Sequence, residues 1–133
     1  MLSNADAAMY DAKRVGRNNY QFYAATMSER AMERLLMEKE LRFAIERNEF
    51  LLNFQPKVNL QSGEISGFEA LLRWFHPVRG LIGPEDFIPL AEESGIIGAL
   101  SWWCMREACQ QTRAWQASHP ALTELSVSVN VSS

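Results

Sequence analysis

Near Asn48 the apolar residues change period, and the segments beyond it restrict this chain to few folds. Glu49 to Asn59, "EFLLNFQPKVN", and Ile65 to Trp74, "ISGFEALLRW", both read as strands with alternating faces. Only "LQSGE", Leu60 to Glu64, separates them. A parallel crossover needs about a dozen residues or more, so the short connection favours an antiparallel pair.

The stretch after the second strand, "HPVRGLIGPEDF", is rich in Gly and Pro and reads as a loop. Pro89 is expected to open a short helix that ends at Gly95, because proline is accepted in a first turn and resisted in an interior. A longer helix follows over about Gly98 to Ala117, with Leu100, Trp103, Cys104, Ala108, Gln111 and Trp115 on one face. In "LSVSVNVSS" Leu125, Val127, Val129 and Val131 alternate with small polar residues, the pattern of a last strand. From Glu49 onward the order is strand, strand, helix, helix, strand, which is an α/β arrangement.

Two segments precede that block. Ser3 and Asp6 have the spacing of a helix cap, Ala5, Ala8, Met9 and Ala12 recur at helical spacing, and Gly16 is placed as the stop. The aromatic run "NNYQFY", Asn18 to Tyr23, reads as a short strand. A second helix is expected from Thr26 to about Arg47, with Ala31, Leu35, Met37, Leu41, Ala44 and Ile45 on its apolar side. Along it Arg34, Glu38, Arg42 and Glu46 alternate in sign every four residues, the mark of a solvated face held by i, i+4 pairs. It reads as a connection between domains.

Composition narrows the classes of function. The 133 residues carry 13 basic and 16 acidic side chains, a net charge of −3, which provides no general field for a nucleic-acid polymer. Cys104 and Cys109 sit five apart on a helix and point in different directions, as reduced core thiols of a cytoplasmic protein would. The longest nearly apolar run, Gly95 to Met105, is shorter than the roughly 18 residues a membrane-spanning helix requires.

The residues able to carry chemistry are few. Glu69 and Arg73 lie four apart on one strand, so both project from the face that Leu71 shares, while Phe68, Ala70, Leu72 and Trp74 take the other. A buried carboxylate must be paired or bound to metal, so the two form either a structural ion pair or a site. Asn130, near the end of the last strand, and Gln55, before Pro56, could equally be strand-end amides. Lys57 reads as a solvated edge charge. His76 and His119 precede prolines in loops without partners at metal-ligand spacing.

Taken together, "FQPKVNLQSGEISGFEALLRWFHPVRGLIGPEDFIPLAEESGII", "REACQQTRAW" and "VSVNVSS" closely resemble the opening of EAL domains, bacterial phosphodiesterases that cleave cyclic di-GMP. The resemblance runs from about Leu35 to Ser133. Ahead of it, "NADAAMYDAKRVGRNNYQFY" resembles the C-terminal end of GGDEF domains, the diguanylate cyclases. The implied architecture is a GGDEF remnant over residues 1–24, a connecting helix over 25–47, and from 48–133 the N-terminal portion, about a third, of a TIM-like (β/α) EAL barrel.

The resemblance also implies roles. Glu69 and Asn130 correspond to metal ligands for Mg²⁺ or Mn²⁺, Arg73 to the contact with a ligand phosphate, and Gln55 and Leu71 to positions lining the ligand. Lys13 and Arg17 correspond to GTP-phosphate contacts of active cyclases. It further implies cyclic di-GMP as ligand, pGpG as product, metal-assisted hydrolysis, and a homodimeric parent that is cytoplasmic or anchored to the inner membrane. The family's later glutamate, paired aspartates, lysine and final glutamate have no counterpart in this sequence, so the chain by itself is expected to be inactive. A parent that only binds cyclic di-GMP, or a module whose open sheet pairs with another chain, are the alternatives.

Overall fold

The computed structural model describes residues 26–130. The expected helix and strand before residue 24, with Lys13 and Arg17, lie outside them. The chain divides into two compact units, Met1–Met37 and Glu38–Ser133. In the first, the described residues are helical. The second begins on the last turns of the same helix, α1 (residues 26–44), and holds the sheet.

Only Leu41 and Ala44 of α1's expected apolar side are buried, and Leu35 is largely exposed. Arg42 Nη2 donates to Glu38 Oε1 at 3.0 Å, one of the expected i, i+4 pairs. The chain leaves the helix through a Schellman closure. Glu49 N–H reaches Ala44 O at 3.0 Å, Asn48 N–H reaches Ile45 O at 3.2 Å, and Asn48 takes a positive φ of 56°. Asparagine tolerates that left-handed position better than most residues, which explains the helical pattern stopping there.

Four strands make one sheet: β1 (Phe50–Val58), β2 (Ile65–His76), β3 (Gly80–Ile82) and β4 (Ser126–Val129). β1 and β2 pair antiparallel along their lengths, as the short connection favoured, with Gln55 opposite Glu69 and Leu51 opposite Arg73. β4 pairs parallel with β2 over Gly67 to Ala70, and β3 pairs antiparallel with it over Trp74 to His76. The expectation of an α/β fold holds.

Three local expectations are corrected. The segment read wholly as loop contains β3, a three-residue strand set up by Gly80, whose φ of 75° makes the tight return from β2. The first helix after it, α2 (Pro84–Glu93), opens at Pro84 and not at Pro89, which lies inside. Glu85 and Asp86 favour that start by placing acids in the first turn, and buried Phe87, Leu90 and Ala91 hold the helix through the proline. His76 is not a loop residue either. It ends β2 and is only 4% exposed.

One face of the sheet packs on helix α3 (Ile97–Ser118), whose Leu100, Cys104 and Ala108 are buried. Phe50 stands 5.9 Å from Trp103 of α3, and Phe54 and Phe68 stand 4.9 and 5.2 Å from Trp115. Trp74 and Phe87 close the same layer. The core is therefore aromatic, and it fixes which face each strand residue takes.

Candidate functional site

Because Phe50, Phe54 and Phe68 point to α3, alternation turns Leu51, Asn53 and Gln55 of β1 and Glu69, Leu71 and Arg73 of β2 to the opposite face. Asn130, the residue after β4, joins them. Its Nδ2 donates to Glu69 Oε1 at 2.9 Å, across a sequence separation of 61 residues. The half-buried carboxylate is thus paired, but with an amide and not with Arg73. The alternative of a Glu69–Arg73 ion pair is not what forms.

Arg73 Nη1 instead donates to Leu72 O at 2.8 Å. A guanidinium has five N–H donors in a fixed fork, so this one bond leaves the others free to meet an anion. Gln55 stands across from Glu69 in the β1–β2 register, in mid-strand and exposed, so it does not terminate a strand as its amide and Pro56 suggested. Leu71 lies half-buried between Glu69 and Arg73.

Lys57 belongs to this face as well. It is exposed on the edge strand, as a solvated edge charge would be, and its Nζ also donates to Ser128 Oγ at 3.0 Å, reaching from β1 across β2 to β4. Gly67 permits the approach of β4, because a Cβ built there would lie 2.6 Å from both Ser126 O and Ser126 Oγ. The sequence signal for it was available: a glycine inside a strand pattern marks a bulge or a close backbone approach.

Among the described residues no cluster of three or more His, Cys, Asp or Glu side chains could enclose a metal. Glu69 and Asn130 nonetheless supply a carboxylate and an amide oxygen from two neighbouring strands, the donor type that hard divalent cations prefer. Asn130 now turns Nδ2 toward the carboxylate, and rotation of the amide would present Oδ1 instead. The donor set fits such an ion.

One strand face of the α/β sheet thus gathers a carboxylate, an amide and a guanidinium. Residues 38–133 match the EAL domain family, and the chain belongs to it. It is 49% identical over 115 residues to a Pseudomonas aeruginosa protein named bifunctional diguanylate cyclase/cyclic di-GMP phosphodiesterase MucR, covering 86% of this chain and 17% of that one. It is 39% identical over 132 residues to cyclic di-GMP phosphodiesterase PdeR of Escherichia coli K12, covering 99% of this chain and 19% of the relative. The chain therefore spans less than a fifth of the length of these curated relatives.

Solved structures agree. The PaMucR phosphodiesterase in complex with c-di-GMP superposes with a TM-score of 0.68 at 43% identity, over 73% of this chain and 38% of that one. The FimX EAL domain from Pseudomonas aeruginosa, bound to c-di-GMP, gives 0.56 at 29% identity over 69% and 35%. Among the described residues no helix is long and apolar enough to cross a membrane.

Proposed function

We propose that this chain is the opening portion of a domain that binds and hydrolyses cyclic di-GMP, with residues 1–24 the end of a GGDEF domain, 25–47 a connecting helix and 48–133 the first third or so of the EAL barrel. The observation that carries the reading is the 2.9 Å bond between Asn130 and Glu69, which holds two oxygen-bearing side chains from separate strands against each other on the face that Arg73 shares. The relatives' names and the two c-di-GMP complexes support it.

In this reading Glu69 and Asn130 hold Mg²⁺ or Mn²⁺. The metals would supply Lewis acidity toward the phosphodiester and its attacking water. Arg73 binds a phosphate through the N–H donors that Leu72 O leaves free. Gln55 and Leu71 bound the ligand beside it, and Lys57 keeps β4 in register through Ser128. The parent in this reading is a homodimer, cytoplasmic or anchored to the inner membrane.

Two oxygen donors cannot by themselves fix a pair of metals, so the chain alone binds the dinucleotide without turning it over. The experiment is a titration of the chain with cyclic di-GMP in the presence of Mn²⁺, followed by ligand NMR and by chromatography for pGpG. Binding that is lost in Arg73→Ala, with no pGpG, is expected. Release of pGpG would refute the assignment of inactivity, and absence of binding would refute the site. A catalytically silent receptor shares the first outcome, and full-length protein that binds without hydrolysing would establish it.

A further inference from the structure

Beyond Arg73, β2 continues on the same face to one more side chain, Phe75, before it ends at His76. Its cross-strand neighbour on β3 is Leu81. These two are 57% and 58% exposed, although Trp74 and His76 on the reverse face of the strand are buried. Leu51, opposite Arg73 on β1, is 36% exposed and extends the apolar surface to the guanidinium. An aromatic and two aliphatic side chains at an open hairpin end contribute nothing to the core, which lies on the other face.

We infer that Phe75 and Leu81 form a shelf on which one guanine base of the bound dinucleotide stacks. This rests on the site reading proposed above and extends it to the base. Residues two apart on a strand are about 6.6 to 6.8 Å apart along its axis, so a phosphate on Arg73 and a base on Phe75 are separated by one ribose's reach. Aromatic side chains recognise any base through its π-face, and a cation beside the ring binds the phosphate of the same nucleotide. An apolar protein segment would satisfy Phe75 and Leu81, but it would leave the free donors of Arg73 facing an uncharged partner. A phosphorylated ring system satisfies both. The shelf contributes affinity and holds the base still, while Arg73 sets where the nucleotide starts.

The test is a ligand-observed NMR titration of this chain with cyclic di-GMP. In the wild type, ring current from Phe75 moves a guanine H8 resonance upfield. Phe75→Ala is expected to weaken binding by about 5- to 150-fold and to abolish that shift. Phe75→Trp retains both. Phe75→Leu keeps the bulk and loses the shift, which separates stacking from simple packing. Since Phe75 is exposed, thermal unfolding of these variants should match the wild type. If Phe75→Ala binds with unchanged affinity and H8 shift while Arg73→Ala loses binding, the shelf is wrong and the site stands. If the wild-type chain binds no cyclic di-GMP, the site reading falls and the shelf with it.

Discussion

Replacing Gly67 by alanine asks whether the approach of β4 to β2 assembles the site. A Cβ at this position lies 2.6 Å from the backbone oxygen and the hydroxyl of Ser126, about 0.8 Å short of ordinary contact. The hydroxyl can rotate away, but the backbone oxygen belongs to a strand paired to Gly67 itself. β4 must therefore move. Overpacking of this kind costs about 1 to 3 kcal/mol, while removing a glycine from a strand returns roughly 0.5 to 1 kcal/mol. The net expectation is a loss of about 0 to 2.5 kcal/mol, centred near 1 kcal/mol.

Movement of β4 has a second consequence, because the Lys57–Ser128 and Asn130–Glu69 bonds both cross from β4 to the rest of the sheet. Urea denaturation should show a lowered midpoint at an unchanged slope, and the Asn130 side-chain amide resonances should move toward solvent-exposed values. Gly98→Ala is the control, since nothing lies within 4 Å of its Cβ and it sits in the first turn of α3. It should be neutral or stabilise by up to about 1 kcal/mol. A Gly67→Ala chain with the wild-type midpoint and an undisturbed Asn130 amide would refute the idea that close strand approach builds the site.

Other perturbations arise from single contacts. Glu40 Oε2, a buried atom, faces His76 Nε2 at 3.2 Å and Arg79 Nη2 at 3.7 Å without the alignment of a hydrogen bond. Because His76 Nδ1 accepts the Val78 and Arg79 N–H groups, the neutral ring carries its proton on Nε2, toward Glu40. Glu40→Ala should destabilise the second unit by up to about 1 kcal/mol, since the ion pair with Arg79 and the contact with the His76 ring are lost; denaturation midpoints equal to wild type would show the contact to be idle. Burial pushes the Cys104 thiol from 9.0 up to about 11, so the folded form keeps it neutral where the unfolded form ionises. Its contribution to stability is full below pH 9 and is lost as pH rises toward 11, a slope that Cys104→Ala should remove. At pH 8 a thiol reagent should label the exposed Cys109 and spare Cys104 in the native chain.

The hairpin of β1 and β2 was legible because connection length and alternation are local properties. So were the faces of β2, since a period of two assigns them once any neighbour fixes the core side. The start of α2 was not, because Pro84 and Pro89 are both acceptable openings and only the packing of Phe87 and Leu90 chooses between them. β3 is too short for alternation to register. His76 was misplaced because a residue before proline reads as loop, whereas here it closes a strand and is buried against α1. Glu69 and Asn130 could each be singled out by type, but their hydrogen bond depends on a parallel return across 61 residues, which no local pattern determines.

The pairing of β2 also explains why its arginine is an arginine. One edge of β2 is taken by β1 as far as Trp74; on the other, β4 stops at Ala70 and β3 begins at Trp74. Leu71 to Arg73 have no strand beside them there, and a cleft of about 300 Å³ opens against Pro84, Ile88 and Asn130. Arg73 folds one N–H onto Leu72 O at 2.8 Å, so a backbone carbonyl at the interruption is satisfied by the side chain. Its planar fork can make that bond and still direct further donors at a phosphate. A lysine has a single ammonium on a flexible stem and must choose between them. Arg73→Lys should therefore leave the unfolding midpoint within about 0.5 kcal/mol, as the residue is only half-buried, yet weaken cyclic di-GMP binding about tenfold or more, the loss of one charge-assisted hydrogen bond. Equal affinity in the lysine variant would mean that charge alone suffices, and that the anchoring to Leu72 has no part in recognition.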